Sequence, residues 1–418
     1  QTVSVSTTDS DTAGFTVIES GGSSTITEAG STDTFTVVLD AQPTSDVVIS
    51  VVSSDTGEAT VSGAPLTFTN GNWDSSQTVT ITGVDDSIID GSQTSTITLS
   101  VVDGSSDDSF DSLADQTVSV STADNDTAGF TVAQSGGSTT VAETGSTDTF
   151  TVVLNAQPAT DVVISTVSSD TGEATAAPPT LTFTNGNWDT PQIVTITGVN
   201  DDLVDGTQTS TITLSVVDAS SDNDFDGVAD QTVSVSTTDN DTAGFTVTQS
   251  GGSTTVAETG STDTFTVVLN AQPTSNVVIS VVSSDTGEAT VSGAPLTFTN
   301  GNWNTPQTIT ITGVDDDLVD GSQTTTTTLS VVDASSDNDF DGVADQTVSI
   351  ETTDNDSVGF TLVETGGSTS VNESGSTDTF TVVLNVQPTS NVVISVVSSD
   401  TGEATVSGAP LTFTNGNW

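Results

Sequence analysis

The sequence predicts an all-β protein, built as tandem Ig-like antiparallel β-sandwiches of about seven strands each, in an extended linear array of 115-residue repeats. The first observation behind this is phase. Phe15, Phe130, Phe245 and Phe360 stand 115 positions apart in the same GFT motif, and Trp73, Trp188, Trp303 and Trp418 each close the same TNGNW. A fixed long period is the mark of one domain copied end to end. The second is pattern: short stretches of period-2 alternation are separated by Gly, Asn, Asp and Pro clusters. The third is composition, since Thr and Val dominate as strand formers and no stretch carries helical periodicity.

The third copy shows the expected elements in order. Residues 244–247 and 254–257 form a first strand broken at Ser250-Gly251-Gly252. Residues 263–269 follow, with Phe265, Val267 and Leu269 on one face. Residues 276–283 place Val277, Ile279 and Val281 together. Leu296 and Phe298 belong to a fourth strand that ends at the tight-turn pair Asn300-Gly301. Residues 308–314, 324–332 and 346–352 complete the set. At 115 residues a repeat is large enough to bury its own core. Trp303 reads as a plug beneath its turn. The domain limits that follow are residues 1–10 as the last strand of a preceding repeat, then repeats 11–125, 126–240 and 241–355, and an incomplete fourth at 356–418. Because the chain opens and stops in mid-repeat, it reads as a window on a longer one.

Composition narrows function. There are 57 acidic residues and no Lys, Arg, His, Cys, Met or Tyr. A net charge of −57 excludes nucleic acid and anionic membrane as electrostatic partners, because both require Lys or Arg to displace counterions. Without His, Cys, Lys or Tyr the usual general bases and nucleophiles are missing, and no enzyme is expected. No disulfide or thiolate metal site can form, and no segment approaches the roughly 18 apolar residues of a membrane span.

The acid is gathered in loops. Asp315, Asp316 and Asp320 lie in GVDDDLVDG, Asp354 and Asp356 in DND at the joint, and Asp337, Asp339, Asp341 and Asp345 in DNDFDGVAD. Two like charges about 4 Å apart repel by roughly 4 kcal/mol at an effective dielectric near 20, and no basic residue offsets any of it. Oxygen-only ligands select a hard cation, and several carboxylates with carbonyls suit Ca²⁺ better than Mg²⁺. The DNDFDGVAD run has the front of an EF-hand-type loop without its closing Glu, since the twelfth residue is Val348. Copy two keeps it as Asp222, Asp224, Asp226 and Asp230, whereas copy one has Ser109 and Ser112 at two of its positions.

Taken together, VAETG, TFTVVL, SSDTGEAT, LTFTNGNW, ITITGVDDDLVDG and the closing TTDND resemble the Calx-beta domain over essentially the whole chain. That family is a calcium-binding β-sandwich of exchanger regulatory domains, cell-surface proteins and tandem arrays in large bacterial surface proteins. The resemblance implies a Ca²⁺ site at one tip of each sandwich. Its ligands would be Glu258, Asp285, Asp315, Asp316, Asp320, Asp354 and Asp356 in copy three. Copy two would use Glu143, Asp170, Asp202, Asp205, Asp239 and Asp241, with Asn200 in place of the first loop carboxylate. Copy one would use Glu28, Asp55, Asp85, Asp86, Asp90, Asp124 and Asp126. The fourth copy has only Glu373 and Asp400, so no full site is expected there.

The functional expectation is an extracellular structural array, the stalk or filament of a cell-surface adhesin or fibre, rigidified by Ca²⁺ at its joints. Its partners would be calcium ions and neighbouring repeats, with a homopolymer or bundled filament as an extension. The alternatives are a Ca²⁺-sensing regulatory module and a non-catalytic spacer of a secreted enzyme.

Overall fold

A computed structural model describes residues 1–8 and 10–418. It contains strands and short 3-10 turns. Among the described residues no helix is long and apolar enough to cross a membrane. The chain divides into two compact units, residues 1–199 with 209–237 and residues 200–208 with 238–418.

In the first unit, bead one shows the architecture. Its strands are β1 (Phe15–Glu19), β2 (Ser24–Thr27), β3 (Thr32–Leu39), β4 (Val47–Ser53), β5 (Ala59–Ser62), β6 (Leu66–Phe68), β7 (Gln77–Gly83), β8 (Gln93–Val101) and β9 (Gln116–Ala123). They form a sheet ordered β1-β3-β7-β5 and a second ordered β2-β9-β8-β4-β6. Pairing is antiparallel except between β2 and β9, which run parallel. Beads two and three repeat both sheets strand for strand.

The alternation read from the sequence is the alternation that folds. Phe35, Val37 and Leu39 of β3 are buried, as are Val47, Ile49 and Val51 of β4 and Val79 and Ile81 of β7. Each fully buried side chain of this size removes enough apolar area to stabilise the bead by about 1.5–3 kcal/mol. The broken first strand is two strands on opposite sheets. Ser20–Gly22 carries the chain across, with Gly21 at φ 71° and Gly22 at φ 81°, a left-handed backbone that residues with a Cβ disfavour. The sandwich therefore has nine strands, not about seven. The split accounts for one addition and the four-residue β5 for another.

In the second unit, bead three has the same core, from Phe245 through Phe265, Ile279, Phe298 and Ile311 to Ile350. The fourth copy keeps a Phe360–Glu364/Phe380–Leu384 hairpin and a Val392–Ile394/Leu411–Phe413 pair. It ends before the counterparts of β7, β8 and β9, so Phe360, at 55% exposed, and Leu362, at 51%, stay uncovered. Gln1–Thr8 has the β9 sequence but forms no strand, and Val3 and Val5 are exposed. In complete beads that sequence lies between β2 and β8 of its own bead, and residues 1–8 have neither.

Trp73 and Trp303 pack against the cores of their beads. Their backbone carbonyls accept the amides of Leu39 and Leu269, both at 3.1 Å, which fastens the TNGNW turn to the end of the third strand.

Candidate metal centre

Four chain segments meet at one end of bead one: the residue after β2 (Glu28), the turn before β5 (Glu58), the β7–β8 loop (Asp85, Asp86, Asp90) and the tail of β9 (Asp124, Asp126). Gly83 makes the approach possible. A Cβ there would stand 2.0 Å from the Thr27 carbonyl oxygen, so any other residue would push the Asp85-Asp86 loop away from Glu28.

Two acidic groups share Glu28. One oxygen from each of Glu28, Asp86 and Asp126 lies within 4.8 Å of the others, and the same holds for Glu28, Glu58 and Asp90. Glu28 is 1% exposed and Glu58 is 8% exposed. Burial pushes the Glu28 carboxyl up to about 7. The Asn125 amide opposes this, and the charges of Asp124, Asp86 and Glu58 add to it. Glu58 is also pushed up, by burial first and then by Asp90, Asp86, Asp55 and Asp124, and its Oε2 is buried with no hydrogen-bond partner. An orphaned, buried carboxylate oxygen in a ring of like charges is costly unless an ion or a proton fills the gap. The donor set, all oxygen and mostly carboxylate, fits a hard divalent cation.

In the second unit, Glu258, Asp316 and Asp356 reproduce the first group. Glu258, Glu288 and Asp356 are all pushed up, each by burial first. Bead two carries Glu143 and Glu173 buried in the first unit. In the second unit, Asp241 is pushed up by burial and then by Asp239, Asp202 and Asp201.

Other sequence-chosen acids have structural partners. Asp124 Oδ2 accepts the amides of Asp90 and Gly91 at 3.1 and 2.9 Å, and its Oδ1 accepts Asp126 N at 2.7 Å. Asp239 does the same for Asp205, Gly206 and Asp241, and Asp354 for Gly321 and Asp356. These three brace the joint against the loop. Asp85 and Asp315 accept the side-chain amides of Asn125 and Asn355 at 2.8 and 2.7 Å. Asn200 Oδ1 accepts Asn240 at 2.7 Å, so this position needs an acceptor rather than a charge. Asp55, Asp170 and Asp285 each close a turn on the glycine two residues on, with Asp55 standing beside Glu58. In the fourth copy Glu373 and Asp400 are exposed.

The EF-hand-like run takes a different form. Asp337 caps the short turn Asn338–Phe340, whose Phe340 is fully buried. Its carboxylate accepts Thr274 Oγ1 at 2.7 Å and Ser275 N at 2.6 Å, while Asp339, Asp341 and Asp345 are exposed. Asp222 accepts Thr160 N at 2.7 Å, and Asp224, Asp226 and Asp230 are exposed. Copy one makes the same cap with Asp107, which accepts Thr44 N at 2.6 Å despite Ser109 and Ser112. In copies two and three the first carboxylate of the run is buried and the later ones are exposed.

Sequence reasoning misses Glu58, Glu173 and Glu288, whose signal is recurrence at the full period inside SSDTGEAT. It also takes Asp202 over Asp201. Asp201 holds the position of Asp86, and each accepts the amide two residues on, Leu203 at 2.8 Å and Ile88 at 2.7 Å.

No protein-family model matches the chain, and no curated protein matches it by sequence. Solved structures that align with the chain include CBD12 from CALX1.2 at 16% identity and TM-score 0.21, covering 48% of this chain and 79% of that one. Domains 4 and 5 of the S-layer protein SbsC align at 16% identity and TM-score 0.23, over 54% and 97%. A three-Ig fragment of titin aligns at 10% identity and TM-score 0.25, over 83% and 100%.

Proposed function

We propose that the chain is part of an extracellular structural repeat array of Calx-beta type, a stalk or filament of a cell-surface adhesin or fibre, whose joints are stiffened by Ca²⁺. The observation that carries this reading is the buried Glu28 shared by two acidic groups, with the orphaned Glu58 oxygen beside it, in a chain without a basic residue. Glu28, Glu58, Asp86, Asp90 and Asp126 would hold the cation, as would Glu258, Glu288, Asp316, Asp320 and Asp356. The cation supplies the positive charge that the side chains cannot. The chain's own contribution is to place the joint there: the Asn125 and Asn355 amides of the two DND segments donate to Glu28 and Glu258, so a cation that keeps those carboxylates ionised would also keep the segment that leads to the next bead. Near-identical copies favour a spacer with uniform mechanics over a recognition array, and a millimolar-calcium exterior would fill even weak sites. The reading assigns no catalytic role.

The test is small-angle scattering together with a thermal melt on the full chain, in millimolar calcium and then in chelator. Loss of maximum dimension and of melting temperature on chelation supports the proposal. No change in either would reduce the acidic loops to a solvated coat.

A further inference from the structure

The β7–β8 loop has a second side. In the first unit, Ile88 of bead one pairs in a parallel bridge with Gln157 of bead two, and Gln157 N donates to Ser87 O at 2.6 Å. The next side chain, Ile89, packs against the core of bead two. In the second unit, Leu203 pairs with Gln272, Gln272 N donates to Asp202 O at 2.6 Å, and Val204 packs against the core of bead three. Leu318 pairs with Gln387, whose amide donates to Asp317 O at 2.8 Å. Val319 lines an apolar groove of about 530 Å³ with Val358, Phe360, Leu384, Val386 and Pro388.

The receiving glutamine is held on its other side as well. The side-chain amides of Gln157, Gln272 and Gln387 donate to the carbonyls of Asn185, Asn300 and Asn415 in their own TNGNW turns, at 3.0, 2.9 and 2.7 Å. Each Gln therefore connects the neighbouring loop to a turn fastened to the core. Ala156 and Ala271, next to the receiving glutamines, are 0% and 1% exposed.

We propose that the joints are closed by a metal-independent latch, in which an apolar plug (Ile89, Val204 or Val319) on the β7–β8 loop of one bead seats in a socket at the near end of the next copy of the same bead, locked by one parallel backbone bridge. The partner this surface fits is another bead of the same kind, because the plug offers an aliphatic side chain followed by an Asp and the socket offers an aliphatic floor and a backbone edge. The latch does not depend on a cation, since its bonds join backbone to backbone and its plug is apolar.

The experiment uses the full chain, which has no cysteine, with Thr60→Cys and Thr175→Cys carrying spin labels on beads one and two. With chelator present, the wild-type plug should give one narrow distance distribution. Ile89→Asp should broaden it and speed amide exchange at Gln157 at least tenfold, with Val152 in the core of bead two unchanged. Ile89→Val, the residue found at Val204 and Val319, should keep the wild-type behaviour, and bead one's own melt reports whether the Asp variant folds. An Ile89→Asp chain indistinguishable from wild type would overturn the latch. So would a wild-type distribution that narrows only on adding calcium, an outcome that would instead favour cation stiffening. A distribution already narrow in chelator supports the latch, and any further narrowing in calcium is the cation's added stiffening.

Discussion

Asn125 and Glu28, 97 positions apart, are joined by a hydrogen bond of 3.3 Å from the Asn125 amide to Glu28 Oε2. The bond ties the start of one joint to the least exposed carboxylate of the preceding bead. The ionisation of Glu28 therefore bears on both the bead and its link.

Acidification should stabilise the metal-free array over a defined window. The Glu28 carboxyl is pushed from 4.5 up to about 7, so between those values the folded chain binds more protons than the unfolded one. Its contribution is then fully present below about 4.5 and lost as the pH rises through about 7. In chelator, the melt at pH 5 should lie a few degrees above that at pH 7.5, and saturating calcium at pH 7.5 should close the gap. A melting temperature that rises monotonically from pH 5 to 7.5 in chelator would contradict this.

Replacing Glu58 should have opposite effects with and without the cation. Its Oε2 is buried without a partner, so Glu58→Gln relieves charge repulsion and raises the metal-free melting temperature of bead one by a few degrees. The same change removes a carboxylate from the group with Glu28 and Asp90, so the rise on adding calcium should shrink. Calorimetric melts of both proteins in both buffers check the pair of signs.

The Asp337 cap should be a stability element indifferent to calcium. Burial pushes its carboxyl up, but the Thr274 hydroxyl, the Ser275 and Asp339 amides and the Ser275 hydroxyl together hold it below the ordinary 3.8. Such a group contributes stability above 3.8 that is lost as the pH falls through its lower folded value. Asp337→Ala should cost about 1–2 kcal/mol by removing the acceptor of these bonds, by the same amount in calcium and in chelator. A loss that appears only in calcium would make this loop a metal site.

How much was legible can be judged from these residues. TFTVVL declared its strand and its inward face because alternation is local. β5 did not, since Ala-Thr-Val-Ser is four residues with little apolar contrast and is held by β7 alone in its sheet. Asp337 resembled a ligand because D-x-D-x-D-G is also what a capped turn needs. Its hydrogen-bond partners, Thr274 and Ser275, lie 63 and 62 positions away. Glu58 was not singled out from the sequence, because what buries it is the approach of distant segments, with Glu28 and Asp90 beside it. Local pattern carried the strands, while convergence of distant loops decided which acids are buried.

Bead three contains a departure that makes a clean stability test. Thr327 is 0% exposed and its hydroxyl has no hydrogen-bond partner, where beads one and two place Ile97 and Ile212, both fully buried. An unmatched buried hydroxyl costs about 1–3 kcal/mol, and the replacement side chain is already accommodated twice on the same backbone. Thr327→Ile should therefore stabilise bead three by about 1–2 kcal/mol once some repacking is allowed for, and raise its component of the melt without touching the response to calcium. A destabilised bead three would mean that the hydroxyl is satisfied by water in a cavity the isoleucine beads lack, which the exchange of the amides of its cross-strand partners Ser283 and Val348 would register.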